Sequence, residues 1–254
     1  MSDAALKRQV ARRFAQAAAG YDDGARLQRH AGRVLLAHFD RLPAADSLLD
    51  LGCGSGWLTA QLATRCGALV AVDLAPAMAA ATARRCAQPV VVADAERLPL
   101  ASATFARVVS NLMIQWLDPA LPALAEMARV LEPGGVALVH TLLPGTLREL
   151  GAAFAAVDGQ PRINAFMAAD ALVAAAWQAG FSQVRLHQTA LDLPYPSARV
   201  LCRELKRVGA NTLVAGHRPL SVAQWRAVEA HFGAAGAADG VAVRWQLGLL
   251  ELQR

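Results

Sequence analysis

Between residues 45 and 142, short apolar segments alternate with helix-forming segments in a regular order. The apolar segments are, in chain order, SLLDLG, ALVAVDL, PVVVAD, TFARVVSNL and VALVHTLL. The helix-forming segments between them are WLTAQLATRC, PAMAAATARRC and PALPALAEMARVL. Helices that connect successive strands in this way cover both faces of a parallel sheet. The alternation therefore predicts an α/β fold with a mostly parallel sheet.

The segments outside this region predict helical additions to the same domain. Residues 4–19 form a helical pattern, and a second helix is expected from a cap at Asp22 or Asp23 to about Phe39. After residue 142, helix and loop segments at 145–168 and 194–235 interrupt the alternation. We predict one domain over 1–254, with an N-terminal helical cap over 1–40 and lid insertions at 145–168 and 194–235.

Composition narrows the class of protein. Hydrophobic residues make up 55% and charged residues 18% of the 254 residues, which is enough for a large core. The net charge of +5 is spread along the chain without a dense basic run, which argues against a nucleic-acid partner. A mildly basic surface fits an acidic substrate or partner better. We also expect no membrane partner and a cytoplasmic location, because neither a membrane span nor a signal peptide is recognisable.

The cysteine and histidine positions predict no metal site. The four cysteines form no C-x-x-C pair and are expected to be reduced thiols. The six histidines form no H-x-x-x-H or H-E-x-x-H pair, and each is expected to be structural or exposed.

The stretch DLGCGSGW, from Asp50 to Trp57, predicts a ligand site at the end of the first core strand. A dinucleotide-binding loop reads G-x-G-x-x-G, and here Trp57 stands where its last glycine is required. The pattern from Asp50 to Gly56 is instead D-x-G-x-G-x-G, which resembles motif I of the class I S-adenosylmethionine (SAM) methyltransferases. Because SAM carries an ammonium and a sulfonium but no phosphate, an acidic residue at this strand end suits it.

Two further acidic residues end the next two strands. Asp73 ends the second strand and can accept both hydroxyls of a ribose. The resemblance implies that Asp94, after the third strand, binds the adenine amino group, and that Asn111 and Leu112 line the methionine side. It also implies a Rossmann-like fold with a mostly parallel seven-stranded sheet, helices on both faces and an antiparallel C-terminal strand. The SAM-binding residues are expected to be Tyr21, Gln28, Asp50, Gly52, Cys53, Gly54, Gly56, Asp73, Leu74, Met78, Asp94, Ala95, Asn111 and Leu112.

The flanking segments resemble the malonyl-[acyl-carrier protein] O-methyltransferases of biotin synthesis. The N-terminal segment matches that family at Phe14, Ala17, Ala18, Ala19, Tyr21, Leu27 and Gln28. The segments SNLMIQW, TLLPGTLREL, AVDGQPRINAF and LKRVGAN match it elsewhere along the chain. The resemblance implies that SAM methylates the free carboxylate of a malonyl thioester, with S-adenosylhomocysteine as the second product. The expected partner is a malonyl-loaded acyl carrier protein, or malonyl-coenzyme A, and the chain is expected to be a monomer.

A carboxylate with a pKa near ~4 is already ionised at neutral pH, so this reaction needs no general base. It does need a cation that holds the malonyl carboxylate. Arg203, Lys206 and Arg207 share one face of an expected lid helix and are predicted as this anchor. Arg26 and Arg29 compete for the same role.

Three other functions remain open at this point. The first is a small-molecule SAM-dependent methyltransferase of the ubiquinone C-methyl type, which would need a base. The second is a SAM-binding module without catalytic activity, and the third is a dinucleotide-dependent oxidoreductase.

Overall fold

A seven-stranded sheet lies at the centre of the computed structural model, which describes residues 3–210, 219–236 and 240–254. Its strands are β1 (Ala45–Leu51), β2 (Cys66–Asp73), β3 (Val90–Val92), β4 (Phe105–Asn111), β5 (Leu131–Leu142), β6 (Gln183–Tyr195) and β7 (Val241–Gln253). They are arranged in the order β3-β2-β1-β4-β5-β7-β6. Strands β1 to β5 pair in parallel, and β7 is antiparallel to both of its neighbours, β5 and β6. The predicted sheet, including its antiparallel C-terminal strand, is confirmed.

The strand order reverses at β1, which pairs with β2 on one side and with β4 on the other. In open parallel sheets, such a reversal leaves a crevice at the carboxyl ends of the strands, where ligands bind. The glycine-rich loop after β1 therefore lies where the topology places a ligand.

Helices cover both faces of the sheet and continue beyond one end of it. They are α1 (Asp3–Ala17), α2 (Tyr21–Gly24), α3 (Arg26–Phe39), α4 (Trp57–Leu62), α5 (Pro76–Arg85), α6 (Leu121–Val130), α7 (Arg148–Asp158), α8 (Ala169–Gln178), α9 (Ala198–Arg207) and α10 (Val222–Ala234). Leu35 of α3 and Leu62 of α4 are fully buried on one face, and Leu124 and Met127 of α6 on the other. Each such side chain contributes about 1.5–3 kcal/mol by leaving water.

Apart from the buried side chains on the two faces of the sheet, an apolar cluster joins α7, α9 and α10 to the ends of β6 and β7. Phe154 of α7, Leu201 of α9 and Phe232 of α10 are buried in it, together with Tyr195 and Trp245 of the two strands. These helices fall within the segments predicted as lids, 145–168 and 194–235. Residues 211–218 of the second segment lie outside the described residues.

Two local predictions are wrong. The second helix is not capped by Asp22 or Asp23: a break at Ala25 separates α2 from α3, and Asp22 instead binds Ser55. The strand predicted as VALVHTLL begins earlier, at Leu131, so the EPGG stretch lies within β5, where Gly134 has a φ of 78° and the pairing with β4 shifts register. Among the described helices, none is both long and apolar enough to cross a membrane.

Candidate active site

The loop after β1 presents bare backbone at the carboxyl end of the sheet. The amides of Gly52 and Cys53 donate to the Val72 carbonyl at 2.8 and 3.0 Å, which fastens the loop to the end of β2. Gly52 and Gly54 have φ values of 81° and 57°, a region that favours glycine. A Cβ on Gly52 would lie 2.6 Å from Met113 Cγ, so the loop leaves no room for a side chain there.

The Asp73 carboxylate is held in one orientation beside this loop. Its Oδ2 accepts the Gly54 amide and its Oδ1 accepts the Ala75 amide, each at 2.8 Å. Burial raises the pKa of Asp73, whereas these backbone donors lower it. Because each carboxylate oxygen can accept a second hydrogen bond, the group remains able to bind two neighbouring hydroxyls.

Asp50 provides a second, more deeply buried carboxyl at the end of β1. It is 1% exposed, and its Oδ2 accepts a hydrogen bond from Thr59 Oγ1 at 2.6 Å. Burial raises the pKa of Asp50 to about 7, against the opposing effect of the Thr59 hydrogen bond. A cation that binds beside this carboxyl would favour its ionised form.

Asn111 supplies a buried acceptor at the end of β4. Its Nδ2 donates to the Gln28 carbonyl at 3.0 Å, which fixes the orientation of the amide. Its Oδ1 is buried and accepts no hydrogen bond from the described residues. An unsatisfied buried acceptor costs free energy, and an ammonium donor from a ligand would satisfy it.

These groups border two small cavities that meet at the glycine loop. The strand-end cavity, of about 100 Å³, lies between Gly52, Gly54, Asp73, Asp94 and helix α1. The loop cavity, of about 40 Å³, is bordered by residues that include Asp50 and Gln28. Both cavities are bordered by Asn111, so the three acidic strand ends line two adjacent cavities at the same edge of the sheet.

Helix α1 covers the strand-end cavity. The sequence predicted a helical cap over residues 1–40 but not these contacts of α1. Lys7 Nζ lies 3.0 Å from Asp94 Oδ2 and also pairs with Glu96. Val10 and Phe14 of the same helix border the cavity. Residues 1–40 therefore contribute a cover over the site through α1.

A polar link joins α2 to the glycine loop and to α5. Ser55 Oγ donates to Asp22 Oδ1 at 2.7 Å, and Arg85 pairs with Asp22 and donates to Ser55 Oγ. Burial raises the pKa of Asp22, but the hydrogen bonds from Arg85 and Ser55 outweigh burial, and the pKa is lowered from its usual value. Sequence reasoning missed this link because its members are 30 to 63 positions apart.

A third and larger cavity, of about 570 Å³, opens on the other side of α2 and is called here the large cavity. Its walls are mostly apolar and come from α7, α9, β7 and neighbouring segments. Its charged lining residues, among those described, are Arg13, Arg162 and Glu204. Arg162 has a φ of 50°, and its Nε donates to Asp158 Oδ2 at 2.9 Å.

Tyr21 borders all three cavities. Burial, together with the charges of Asp73 and Asp22, raises the pKa of its phenol, which therefore stays protonated. Phe14 lies beside it, with ring centroids 6.4 Å apart. The Tyr21 side chain of the N-terminal cap is therefore part of the wall of all three cavities.

The structure brings most of the predicted SAM-binding residues together. Those that border the strand-end or loop cavity are Tyr21, Gln28, Asp50, Gly52, Cys53, Gly54, Asp73, Leu74, Asp94, Ala95, Asn111 and Leu112. Burial raises the pKa of the Cys53 thiol, which agrees with its interpretation as a small buried residue rather than a nucleophile.

Gly56 and Met78 are the exceptions, since neither borders these cavities. A Cβ on Gly56 would lie 2.8 Å from the Thr82 Cα, so this glycine allows α4 to pack closely against α5. Met78 is fully buried within the protein. In this structure both residues pack within the protein, and their contact with SAM stays a prediction.

The predicted carboxylate anchors do not border the large cavity. Arg203, Lys206 and Arg207 are exposed and border a separate concavity, whereas Cys202, Leu205 and Val208 of the same segment face the large cavity. The shared helix face was predicted correctly, but it is turned away from the cavity. The competing Arg26 pairs with Glu204 at 3.5 Å and borders none of these cavities, while Arg29 borders the loop cavity.

One histidine cluster forms that the sequence did not predict. Ligand-capable atoms of His38, His187 and Glu251 lie within 4.8 Å of one another, away from the cavities described above. Arg185 Nη1 lies 3.2 Å from Glu251 Oε1 and places a positive charge beside the cluster. That charge disfavours a bound cation at these three residues. The absence of a metal stays a prediction.

Comparison with known proteins agrees with this fold and site. Residues 49–139 match a family model described as a methyltransferase domain. The crystal structure of YcgJ from Bacillus subtilis superposes with a TM-score of 0.62 at 15% identity, covering 89% of this chain and 98% of YcgJ. At that identity the likeness shows the fold alone. Fold, family model and site together define a class I SAM-dependent methyltransferase.

Curated relatives narrow the class. The malonyl-[acyl-carrier protein] O-methyltransferase of Serratia marcescens is 38% identical over 216 residues, which cover 85% of this chain and 83% of that protein. The chain belongs to the malonyl-[acyl-carrier protein] O-methyltransferase family. The bifunctional biotin biosynthesis protein BioHC of Cellvibrio japonicus is 39% identical over 221 residues, and the match spans 43% of its length.

Proposed function

We propose that this protein transfers the methyl group of SAM to the free carboxylate of a malonyl thioester on an acyl carrier protein, for biotin synthesis. The observation that carries the proposal is that the large cavity and the two smaller ones share Tyr21 in their walls. A methyl donor in the smaller cavities and an acceptor in the large one would meet there. The relatives' names, malonyl-[acyl-carrier protein] O-methyltransferase, support the same reaction.

The smaller cavities suit SAM in three parts. Asp94 would bind the adenine amino group, and the oriented Asp73 carboxylate would bind the ribose hydroxyls. The unsatisfied Asn111 Oδ1 and the Asp50 carboxyl would receive the ammonium group. When bound, SAM supplies an electrophilic methyl group on a positively charged sulfur.

The large cavity offers no general base among its described residues. They include no histidine, and Glu204 accepts a hydrogen bond from Tyr195 Oη at 2.8 Å. Burial raises the pKa of the Cys202 thiol to about 11, and Tyr21 stays protonated. A substrate that is already ionised, such as a malonyl carboxylate, needs no base.

Positioning is then the main contribution of the protein. Orientation of two reactants can be worth about 7–11 kcal/mol relative to free encounter. The apolar walls from α7 and α9 would exclude water from the reacting groups. Tyr21 would donate its hydroxyl hydrogen to the carboxylate oxygen that does not attack.

Arg162 is the proposed anchor for the malonyl carboxylate, in place of the α9 cations. Its side chain is 13% exposed and borders the large cavity in an apolar setting. Arg162 pairs with Asp158, and the planar guanidinium, with five N–H donors, is suited to hold a carboxylate in a fixed orientation. The positive φ of Arg162 is a strained conformation of the kind that occurs at functional sites.

The apolar walls of the large cavity also suit a small-molecule acceptor of the ubiquinone type. Carbon methylation would require a base, and the rate would then rise with a catalytic pKa near ~7. Malonyl methylation should instead be independent of pH above about 5, apart from effects on SAM binding. A pH–rate profile at saturating SAM separates the two reactions.

The direct test is mass spectrometry of carrier proteins incubated with enzyme and SAM. We expect the mass of one methyl group to be added to malonyl-carrier and none to acetyl-carrier. Methylation of both carriers, or of neither, would contradict the proposed acceptor. Tight SAM binding without S-adenosylhomocysteine release on any acceptor would indicate a SAM-binding module.

A further inference from the structure

A concavity of about 390 Å³ carries four positively charged side chains and is called here the basic concavity. Its charged residues are Arg13, Arg203, Lys206 and Arg207, and its described lining includes no acidic residue. Within the described ranges, none of the four cations forms an ion pair. Elsewhere on this surface, arginines such as Arg65 and Arg244 are paired with carboxylates.

Close packing of helices brings these charges together. Gly209 has a φ of 71°, and a Cβ there would lie 3.1 Å from the Arg13 carbonyl oxygen, so α1 and the end of α9 are in contact. A Cβ on Gly24 would lie 3.1 Å from Arg207 Cβ, so α2 packs on the same helix. Like charges repel, and an arrangement that collects them without compensation suits an anionic ligand.

The basic concavity adjoins the large cavity. Arg13 borders both of them. Helix α9 lies between them, because Cys202 and Leu205 face the large cavity while Arg203 and Lys206 face the concavity. A macromolecule bound at the concavity would therefore lie next to the cavity proposed for the acceptor.

We propose that the basic concavity docks an acidic face of the acyl carrier protein, so that its acyl arm enters the large cavity beside α9. The inference rests on the proposed function, which supplies a carrier-bound acceptor. Charge complementarity is the argument for this partner, since a patch of cations steers an acidic protein and orients it. Such contacts act on association more than on the chemical step.

The test is a charge-reversal variant, R203E/K206E/R207E, assayed on three malonyl thioesters. They are malonyl-carrier protein, malonyl-coenzyme A and malonyl-N-acetylcysteamine, of which the last has neither carrier nor phosphate. We expect kcat/KM for malonyl-carrier to fall about tenfold or more, through KM. On malonyl-N-acetylcysteamine the variant should stay within about twofold of wild type, and its SAM affinity and Tm should be unchanged.

The matched control is R84E/R97E/R226E, which makes the same change in net charge. Its three positions are exposed and border none of the cavities described above. The control should keep near-wild-type kcat/KM on malonyl-carrier. Added salt should lower the wild-type kcat/KM more steeply than that of the concavity variant, because salt screens exposed charges.

Four outcomes would overturn the docking proposal. They are an unchanged kcat/KM on malonyl-carrier, an equal fall in the control, an equal fall on malonyl-N-acetylcysteamine, and an equal fall on malonyl-coenzyme A. The last would assign the concavity to phosphate rather than to a protein.

Binding of the unacylated, phosphopantetheine-bearing carrier tests docking independently of activity. The wild type and the control should bind it, and the concavity variant should bind at least about tenfold more weakly. If the wild type binds the carrier but methylates no malonyl thioester, the proposed function fails while docking stands. If wild type and concavity variant bind the carrier equally, docking fails whatever the activity.

Discussion

Two acidic residues at neighbouring strand ends have different environments and therefore different roles. Asp73 is oriented by two backbone amides, and Asp50 is buried with a single hydroxyl donor. The sequence predicted Asp50 beside the positive charges of SAM and Asp73 on its ribose, but it did not predict these environments. Their separate environments depend on backbone and side-chain partners that only the folded chain brings together.

Replacement of Asp73 by asparagine should weaken SAM binding by about 10- to 100-fold. Hydrogen bonds to a charged acceptor are worth about 1.5–3 kcal/mol, and the amide would lose one acceptor oxygen beside the ribose position. Calorimetric titration with SAM measures the change. The exposed Asp46→Asn variant is the control, and unchanged affinity in Asp73→Asn would exclude the ribose role.

SAM affinity should rise with pH between about 5.5 and 7 in the wild type. The pKa of Asp50 is raised to about 7, so Asp50 in the free protein is mostly protonated below pH 7. The cationic ligand favours the ionised carboxyl, and binding below pH 7 should release a proton. Calorimetry in buffers of different ionisation heat detects this proton.

In Asp50→Asn the affinity for SAM should be independent of pH over the same range. The asparagine keeps an oxygen for the Thr59 hydrogen bond, so the fold should be retained. A variant that shows the same pH dependence as wild type would show that another group titrates.

Replacement of Arg162 by glutamine should raise KM for malonyl thioesters about tenfold or more and leave the SAM affinity unchanged. The loss of a charge-assisted hydrogen bond to the carboxylate is the physical reason. Steady-state kinetics with malonyl-N-acetylcysteamine measure it. Arg148→Gln is the matched control, because Arg148 is 60% exposed and outside the cavity. Equal KM values in the two variants would show that Arg162 does not bind the malonyl carboxylate.

At the scale of elements, the turn from β1 into α4 distinguishes two glycines that look alike in sequence. A Cβ on Gly54 would meet nothing within 4 Å, whereas one on Gly56 would meet the backbone of Thr82 at 2.8 Å. Both residues have positive φ. One glycine therefore keeps a cavity open, and the other allows two helices to pack.

The Gly54→Ala variant should lose about 1–2 kcal/mol of stability from its positive φ and should bind SAM more weakly. Gly56→Ala should lose more, because the same strain adds to a backbone clash. Denaturant unfolding and SAM titration measure both effects. The opposite ranking of the two stabilities would contradict this division of roles.

The elements themselves could be predicted where the signal is local. Apolar segments and glycine positions placed β1, the loop after it and the acidic strand ends correctly. The break at Ala25 and the Asp22–Ser55–Arg85 link were not predictable, because they depend on contacts between distant elements. The Lys7–Asp94 pair was missed for the same reason, since Lys7 of α1 is 87 positions from Asp94 in the sequence.

At the scale of the whole molecule, helical layers at the carboxyl end of the sheet divide the ligand crevice into neighbouring cavities. Helix α1 covers the strand-end cavity, and α7 and α9 wall the large one. The modest net charge of +5 conceals a local concentration of cations at Arg13 and α9. The sequence predicted that three α9 cations share a face, but the packing of α9 decides where that face points.

The central proposal for this protein is that the methyl group is transferred to the oxygen of a malonyl carboxylate. The most direct measurement is carbon NMR of the product formed from malonyl-carrier and SAM labelled with ¹³C in its methyl group. We predict a single labelled methoxy signal of a methyl ester, which disappears on mild alkaline hydrolysis. A labelled methyl bonded to carbon and stable to alkali, or no labelled malonyl product, would contradict it.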